Sequence, residues 1–401
     1  MKETGISWVP YIPDNWNVVR IKDIARLQSG EGITSDSIDN IGDYPVFGGN
    51  GLRGYTDKYT NEGNYVLIGR QGALCGNINY ASGKFYASEH AVVVYLQDKN
   101  ESTTWLGETL RAANLNRLSA SAAQPGLAVN VLNFQLIPYP PKEIRERIGN
   151  YLDKKLAKID GRIKVLEKQQ DTYARLKKSV THLAVTRGLN PKVSLKNSGI
   201  EWIGMIPEHW EVKRFKSIFT ECKSVTETGQ EDLLSVSEYY GVARRIDKMD
   251  DGEYESRADS LIGYKICKKN DLVINIMLAW KRGLGFSDID GIVSPAYAVY
   301  RGKNIVPHYF HYLMRTDMYV AEYKRNSKGI IDSRLRMYTD RFNNIIAIVP
   351  PLPEQQAIAN YLDEKCAKID AAIENIGKQI DASKRLKRAL INEVITGQRA
   401  V

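Results

Sequence analysis

Cysteine is scarce in this chain. Cys75, Cys222, Cys267 and Cys366 are spread over 401 positions with no Cys-x-x-Cys spacing, which argues against a disulfide framework and a structural zinc site. Long hydrophobic runs are absent: no stretch approaches the ~18 consecutive apolar residues of a membrane-spanning helix. The polar start Met1-Lys2-Glu3-Thr4 lacks the apolar core of a signal peptide, so a cytoplasmic protein is the default expectation. No Gly-x-x-x-x-Gly-Lys-Ser/Thr loop occurs, which argues against an ATP-driven motor in this chain. The Asp/Asn-Pro-Pro-aromatic motif that holds the target amino group in adenine and cytosine methyltransferases is also missing. The Pro-Pro sites, Tyr139-Pro140-Pro141-Lys142 and Val349-Pro350-Pro351-Leu352, offer no polar side chain in the required place.

Other chemical motifs are weak. Gly49-Asn50-Gly51-Leu52-Arg53-Gly54 fits the dinucleotide pattern, but Tyr55-Thr56-Asp57-Lys58-Tyr59 after it does not read as the helix that would hold a pyrophosphate. It reads as a glycine-rich turn. Glu211-Val212-Lys213 and Glu221-Cys222-Lys223 contain the residue types of a Mg²⁺ nuclease, in triplets that chance supplies often. His308 and His311 share a helix face without a convincing third metal ligand, and are expected to be surface or packing histidines.

What is present is an ordinary globular composition, 43% hydrophobic and 26% charged, long enough for two or three domains. The net charge of +9 favours a polyanionic partner. The chain also repeats itself. Gly5-Ile6-Ser7-Trp8, Ile12-Pro13-Asp14-Asn15-Trp16 and Arg20 return as Gly199-Ile200-Glu201-Trp202, Ile206-Pro207-Glu208-His209-Trp210 and Arg214, 194 residues on. Asn150-Tyr151-Leu152-Asp153 and Ala157-Lys158-Ile159-Asp160 return as Asn360-Tyr361-Leu362-Asp363 and Ala367-Lys368-Ile369-Asp370, 210 residues on. The order is A, B, A′, B′, with boundaries at 1–140, 141–190, 191–350 and 351–401.

The B segments read as helices. Leu152, Leu156, Ile159, Ile163, Leu166, Gln170, Tyr173 and Val180 fall on a 3.5-residue seam interrupted by Lys177. In B′ the seam is Leu362, Cys366, Ile369, Ile373, Ile376, Ile380, Ser383 and Leu390. A helix from about 148 to 184 is roughly 55 Å long, too long to bury its stripe on a small domain, so it needs a partner helix. B pairing with B′ is the expectation; a seam docked on another protein is the alternative. The end of B runs into A′, and only the start of A can match the end of B′, so an antiparallel pair implies a cyclic, pseudo-twofold arrangement.

The A segments read as mixed, with strands at Tyr65–Ile68, Ala91–Leu96 and Leu272–Met277 and helices near Thr104–Asn114 and Tyr309–Tyr323. Their interiors share little sequence, as two similar domains reading different targets would. The fold class is therefore α+β: two mixed α/β domains separated by two long helices in an antiparallel coiled coil. Residues 141–188 hold 13 cations against 6 acids, which suits either a phosphate backbone or a solvated or protein-docking face. Loops rich in groups that read base edges or phosphates supply the candidate DNA contacts: Asn50, Arg53, Arg70, Gln71 and Gln124 in the first domain, Lys281, Arg282, Arg334, Arg336 and Tyr338 in the second.

The A-B-A′-B′ plan resembles the specificity subunit of type I restriction-modification systems over essentially the whole chain. The paired Asn-Tyr-Leu-Asp segments, Pro351-Leu352-Pro353-Glu354-Gln355-Gln356, the Trp/Pro leaders, Gln124-Pro125-Gly126 and Gly291-Ile292-Val293-Ser294-Pro295-Ala296-Tyr297 carry the resemblance. The first helix start, Pro141-Lys142-Glu143-Ile144-Arg145-Glu146, departs from the Glu-Gln form. The resemblance implies two target recognition domains, each reading half of an asymmetric bipartite site in double-stranded DNA, with the helices as a ruler. It further implies two adenine-N6 methyltransferase subunits that bring S-adenosylmethionine, and two restriction subunits that bring ATP- and Mg²⁺-dependent translocation and cleavage. This chain would then bind no cofactor and no metal and perform no chemistry. The rival readings are a self-contained methyltransferase or nuclease, and a coiled-coil scaffold that binds no DNA.

Overall fold

A computed structural model describes residues 1–72, 74–98, 100–119, 125–248 and 260–401. Its contacts divide the chain into two compact units, Met1–Lys168 with Ile376–Val401, and Gln169–Asn375.

The first unit is built on an antiparallel sheet in the order Ala25–Ser29, Ala91–Leu96, Tyr65–Gly69, Ile78–Ala81. Alternating Val92, Val94, Val66 and Ile68 turn one face inward to the core. Helix α1 (Thr103–Ala112) covers that face, with Ser102 accepting the Trp105 amide at its N-cap. Helix α2 (Val129–Asn133) leads into a strand, Leu136–Tyr139, that pairs antiparallel with Asn17–Arg20. Helix α3 (Lys142–Arg187) follows the proline pair, and its residues up to Lys168 belong to this unit.

The second unit repeats this topology. Its sheet runs Phe219–Cys222, Tyr297–Gly302, Leu272–Asn275, Leu284–Phe286, all antiparallel. Helix α4 (Phe215–Ile218) leads into the first of these strands. Helices α5 (Pro307–Met314) and α6 (Asp317–Asn326) stand where the sequence read one helix, because Thr316 turns its hydroxyl onto the Leu313 carbonyl and breaks the run. Helix α7 (Thr339–Phe342) precedes Ile346–Val349, which pairs with Glu211–Arg214. Helix α8 (Leu352–Ile395) follows the second proline pair. The two similar domains expected from the repeat are thus present, and their strand-by-strand match leaves no mark in the sequence because the shared feature is the pairing order, which different side chains support equally well. The first core is mostly aliphatic, whereas the second is dense in aromatics, including Trp210, Tyr309, Tyr319, Tyr323, Phe215 and Phe342.

Within each unit α3 and α8 run antiparallel. In the first, Ile163 and Leu166 meet Ile376 and Ile380, and Lys387 reaches Asp160. In the second, Thr181 lies against Cys366 and Lys177 reaches Asp370. The B′ seam is buried or half-buried throughout; in the first helix Tyr173 departs from the expected seam and is 38% exposed. The repeated Asn-Tyr-Leu-Asp segment does two jobs. Leu152 and Leu362 are fully buried in the two cores. Asp153 accepts from Thr104 Oγ1 on α1 at 2.6 Å, and Asp363 accepts from the Tyr312 hydroxyl on α5 at 2.8 Å. The Trp leaders pack on the helix ends. Trp210 Nε1 donates to Glu354 at 3.0 Å in the second unit, and Trp16 lies beside Gly397 in the first.

Candidate nucleic-acid interface

In the first unit the glycine-rich turn is the tip of a β-hairpin, Tyr44–Gly48 with Gly51–Thr56. It leans on the loop after the central strand so closely that a Cβ on Gly69 would collide with the Gly49 carbonyl. That approach gathers three of the expected contacts, Asn50, Arg53 and Gln71, around one open cavity of 480 Å³, together with Leu52 and His90. Asn50 and Gln71 are exposed, with Asn50 Oδ1 accepting from Asn77 at 2.9 Å. Arg53 is exposed at its head while its stem covers Gly48. Arg70 sits behind this wall: its Nη1 donates to Ser29 Oγ at 3.2 Å, and its carbonyl accepts the Leu127 amide at 2.8 Å. Gln124 lies outside the described residues.

His90 was not among the expected contacts. Its Nε2 is 3.1 Å from Glu89, and its Nδ1 is buried with no hydrogen-bond partner among the described residues. A single histidine with no motif around it gives no sequence signal; only the hairpin's approach brings it to the cavity.

The second unit builds the equivalent wall from other side chains. The Met337 amide donates to the Ile276 carbonyl at 2.8 Å, as Leu127 does to Arg70. Arg334, Arg336 and Tyr338 therefore flank one segment beside the end of the central strand; Arg334 and Tyr338 are exposed and Arg336 is half-buried. Lys281 stacks on Trp280, 5.0 Å from the ring centroid. Lys324 lies over the same ring at 5.2 Å and donates to Asp332 at 3.0 Å, which ties this turn to the arginine-bearing loop. Arg282 takes a left-handed φ of 65° in the turn and points inward. Its guanidinium donates to the Arg315 carbonyl at 3.0 Å and pairs with Asp317.

Arg315 is the second unit's internal clamp. Its guanidinium donates to the carbonyls of Arg282, Leu284, Glu238 and Tyr239 at 2.7 to 3.0 Å. Burial, and then the Arg282 charge beside it, draw its pKa down to about 10. Burial also holds His311 neutral, with a pKa near 4, aided by the charges of Arg315 and His308. Among the described residues no group of three or more His, Cys, Asp or Glu side chains is arranged to hold a metal ion, and no helix is long and apolar enough to cross a membrane.

Residues 13–168 match the type I restriction modification DNA specificity domain. They span nearly all of the first unit's leading segment, and relatives and folds extend the likeness. The type I restriction enzyme MjaVIII specificity subunit of Methanocaldococcus jannaschii is 25% identical over 96% of this chain and 93% of its own. The chain is thus similar to type I restriction-modification specificity subunits, through the matched domain in its first part and at lower identity along almost its whole length. The EcoprrI specificity subunit of Escherichia coli is 41% identical over 136 residues, 33% of this chain, and the match spans only 34% of that relative's length. A chain from a solved type I R-M system, described for its complex assembly and conformational transition, has this fold. Its TM-score is 0.66 at 14% identity, covering 97% of this chain and 100% of its own. The HsdS subunit of Thermoanaerobacter tengcongensis follows with a TM-score of 0.51 at 15% identity, covering 97% and 99%. The two-unit plan of this chain is thus a fold shared across little common sequence.

Proposed function

We propose that the chain is the DNA-reading subunit of a cytoplasmic type I restriction-modification complex and performs no chemistry itself. Residues 1–140 and 191–350 act as the two target recognition domains, and the helices of 141–190 and 351–401 as the spacer between them. The observation that carries this reading is one fold built twice with different side chains at matching loop positions. Where the first copy has Gln124 and Gly126, the second has Arg334 and Arg336; amide and guanidinium groups favour different base edges. A repeated scaffold with unlike reading groups suits an asymmetric, bipartite site.

On this reading Asn50, Arg53, Arg70, Gln71 and Gln124 serve one half-site. Lys281, Arg334, Arg336 and Tyr338 serve the other, with Arg282 holding the turn that presents Lys281. Two methyltransferase subunits then bind S-adenosylmethionine and methylate an adenine flipped from each half-site. Two restriction subunits use ATP and Mg²⁺. The test is single-molecule mapping of N6-methyladenine in methylation-free cells expressing the chain with and without its cognate methyltransferase subunit. A gapped bipartite motif that needs both supports the reading. Methylation by the chain alone makes it an enzyme, and none in either case, with an active partner, leaves a scaffold.

A further inference from the structure

The second unit displays an isoleucine at the tip of a braced loop. Ile330 is 101% exposed and its neighbour Ile331 is 53% exposed. Single exposed apolar residues are common on protein surfaces, so the setting must decide. The loop is closed by two reciprocal backbone bonds, Lys328 N to Arg336 O and Arg336 N to Lys328 O, each 2.9 Å. Inside it, Arg334 N donates to Ile331 O at 2.9 Å and Leu335 N to Asp332 O at 3.2 Å. Lys324 holds Asp332 from α6 at 3.0 Å. Leu335 and Met337 anchor the returning strand in the protein. Gly329 has a φ of +154°, and a Cβ there would come within 2.6 Å of the Arg334 carbonyl. The tip is therefore held out rigidly, and ordering it on binding costs little further entropy.

The same loop carries Lys328, Arg334 and Arg336, with exposed Tyr338 just beyond it. A β-branched apolar tip surrounded by cations matches side chains that enter a base stack while their neighbours grip phosphates. The 210-residue register sets Ala120 and Ser121 of the sequence against Ile330 and Ile331, so the matching positions of the first repeat hold no bulky apolar side chain.

We propose that Ile330 is a wedge that enters the base stack of the half-site read by the second unit, and that this half-site alone is unstacked by the specificity subunit. The inference rests on the proposed DNA-reading function. Ile330 is a positioning residue: it lowers the cost of removing the target base from the helix, and methyl transfer itself stays with the partner subunit.

The experiment uses the full chain assembled with its methyltransferase subunits and duplexes carrying 2-aminopurine beside the target adenine of either half-site. Base extrusion should raise the fluorescence in both half-sites; the wild-type complex should raise it further in the second, and Ile330→Ala should bring the second down to the level of the first. Methylation of that half-site should slow about tenfold, equivalent to ~1.4 kcal/mol, with the first half-site unchanged. Ile330→Leu, or a mismatch at the same step, should restore the rate. Unchanged fluorescence and rate in Ile330→Ala, equal losses in both half-sites, or a slower rate that a mismatch does not restore would each overturn the wedge. A wild-type complex that methylates no bipartite site would overturn the DNA-reading function itself, and the wedge with it.

Discussion

Lys177 donates to both carboxylate oxygens of Asp370, at 2.7 and 2.6 Å, and Lys387 repeats the contact on Asp160 at 2.7 and 2.8 Å. Each lysine sits where the apolar seam of its helix is interrupted, and each pair joins α3 to α8 within one unit. A polar residue in a seam fixes register at some cost in stability. Both pairs are partly exposed, so each is worth less than about 1 kcal/mol. Lys177→Leu should therefore leave the melting temperature unchanged or raise it. The charge reversal Lys177→Asp should lower it, and adding Asp370→Lys should restore most of the loss. Thermal unfolding of the three variants against wild type tests this; a loss with Lys177→Leu as large as with Lys177→Asp would show that the pair acts through stability and not register.

The departure at the first helix start has a structural answer. Arg145 is buried and forms a two-pronged pair with Glu101 at 2.8 and 2.7 Å, while also donating to the Pro140 carbonyl. In the second unit Gln355 takes its place, donating to the Pro350 carbonyl at 2.8 Å and accepting the Val306 amide at 2.8 Å. Glu101→Ala strands a buried guanidinium and should destabilise by ~3–5 kcal/mol. Glu101→Ala with Arg145→Gln should recover part of that loss, because a neutral amide suits the pocket in the other copy. Urea denaturation measures both, and a double variant no more stable than Glu101→Ala would contradict the equivalence.

Acid should weaken the second unit through His311. Its folded pKa of about 4 lies below the ordinary histidine value of 6.5. Between those values the unfolded chain binds more protons, so unfolding free energy rises with pH there. The contribution is complete above about pH 6.5 and is lost as pH falls toward 4. His311→Leu should flatten that slope relative to wild type. Denaturation midpoints at pH 4.5, 5.5 and 7 test it, and parallel slopes would show that His311 is not the titrating group.

The seam of α8, the two proline boundaries and the repeat register are legible in the sequence because helix periodicity and proline chemistry are local. The matching of the two sheets is not, since hydrogen-bond order leaves no residue signature when Val92–Val94 in one copy answer Ala298–Tyr300 in the other. The same limit applies at the site. Asn50, Arg53 and Gln71 could be picked as residue types that read bases, but only the hairpin's approach to the central strand explains why they share a cavity with His90. Arg282 had the right chemistry too; its inward guanidinium follows from a φ and an Asp317 partner that lie beyond any local pattern.

Arg334 and Arg336 give the most direct test of half-site reading. Each arises from the second unit, and Arg334 is exposed with its backbone fixed in the braced loop. Replacing either by Ala should relax or abolish recognition of one half-site at a cost of ~1–3 kcal/mol, the price of a lost base-edge contact. A phosphate contact would instead weaken all sequences alike and lower the salt slope by about one unit. Methylation of substrates altered in one half-site at a time, repeated across salt concentrations, separates the outcomes. Equal loss at both half-sites, or none, would count against assigning this loop to base reading.

The spacer offers a prediction of a different kind, because a helix deletion changes length and phase together. Removing four residues within 164–173, with the matching turn of α8, shortens each helix by roughly 6 Å and turns it by a little over one full rotation. The seam then re-forms nearly in register, so the coil can still pair. If the helices set the distance between half-sites, the methylated motif should keep both of its half-site sequences and lose one or two base pairs of its gap, at ~3.4 Å per base pair. Mapping N6-methyladenine in cells that carry the shortened chain and its cognate methyltransferase subunit reads the gap directly. An unchanged gap with intact methylation would mean that the protein sets the spacing elsewhere, and the ruler would have to be abandoned.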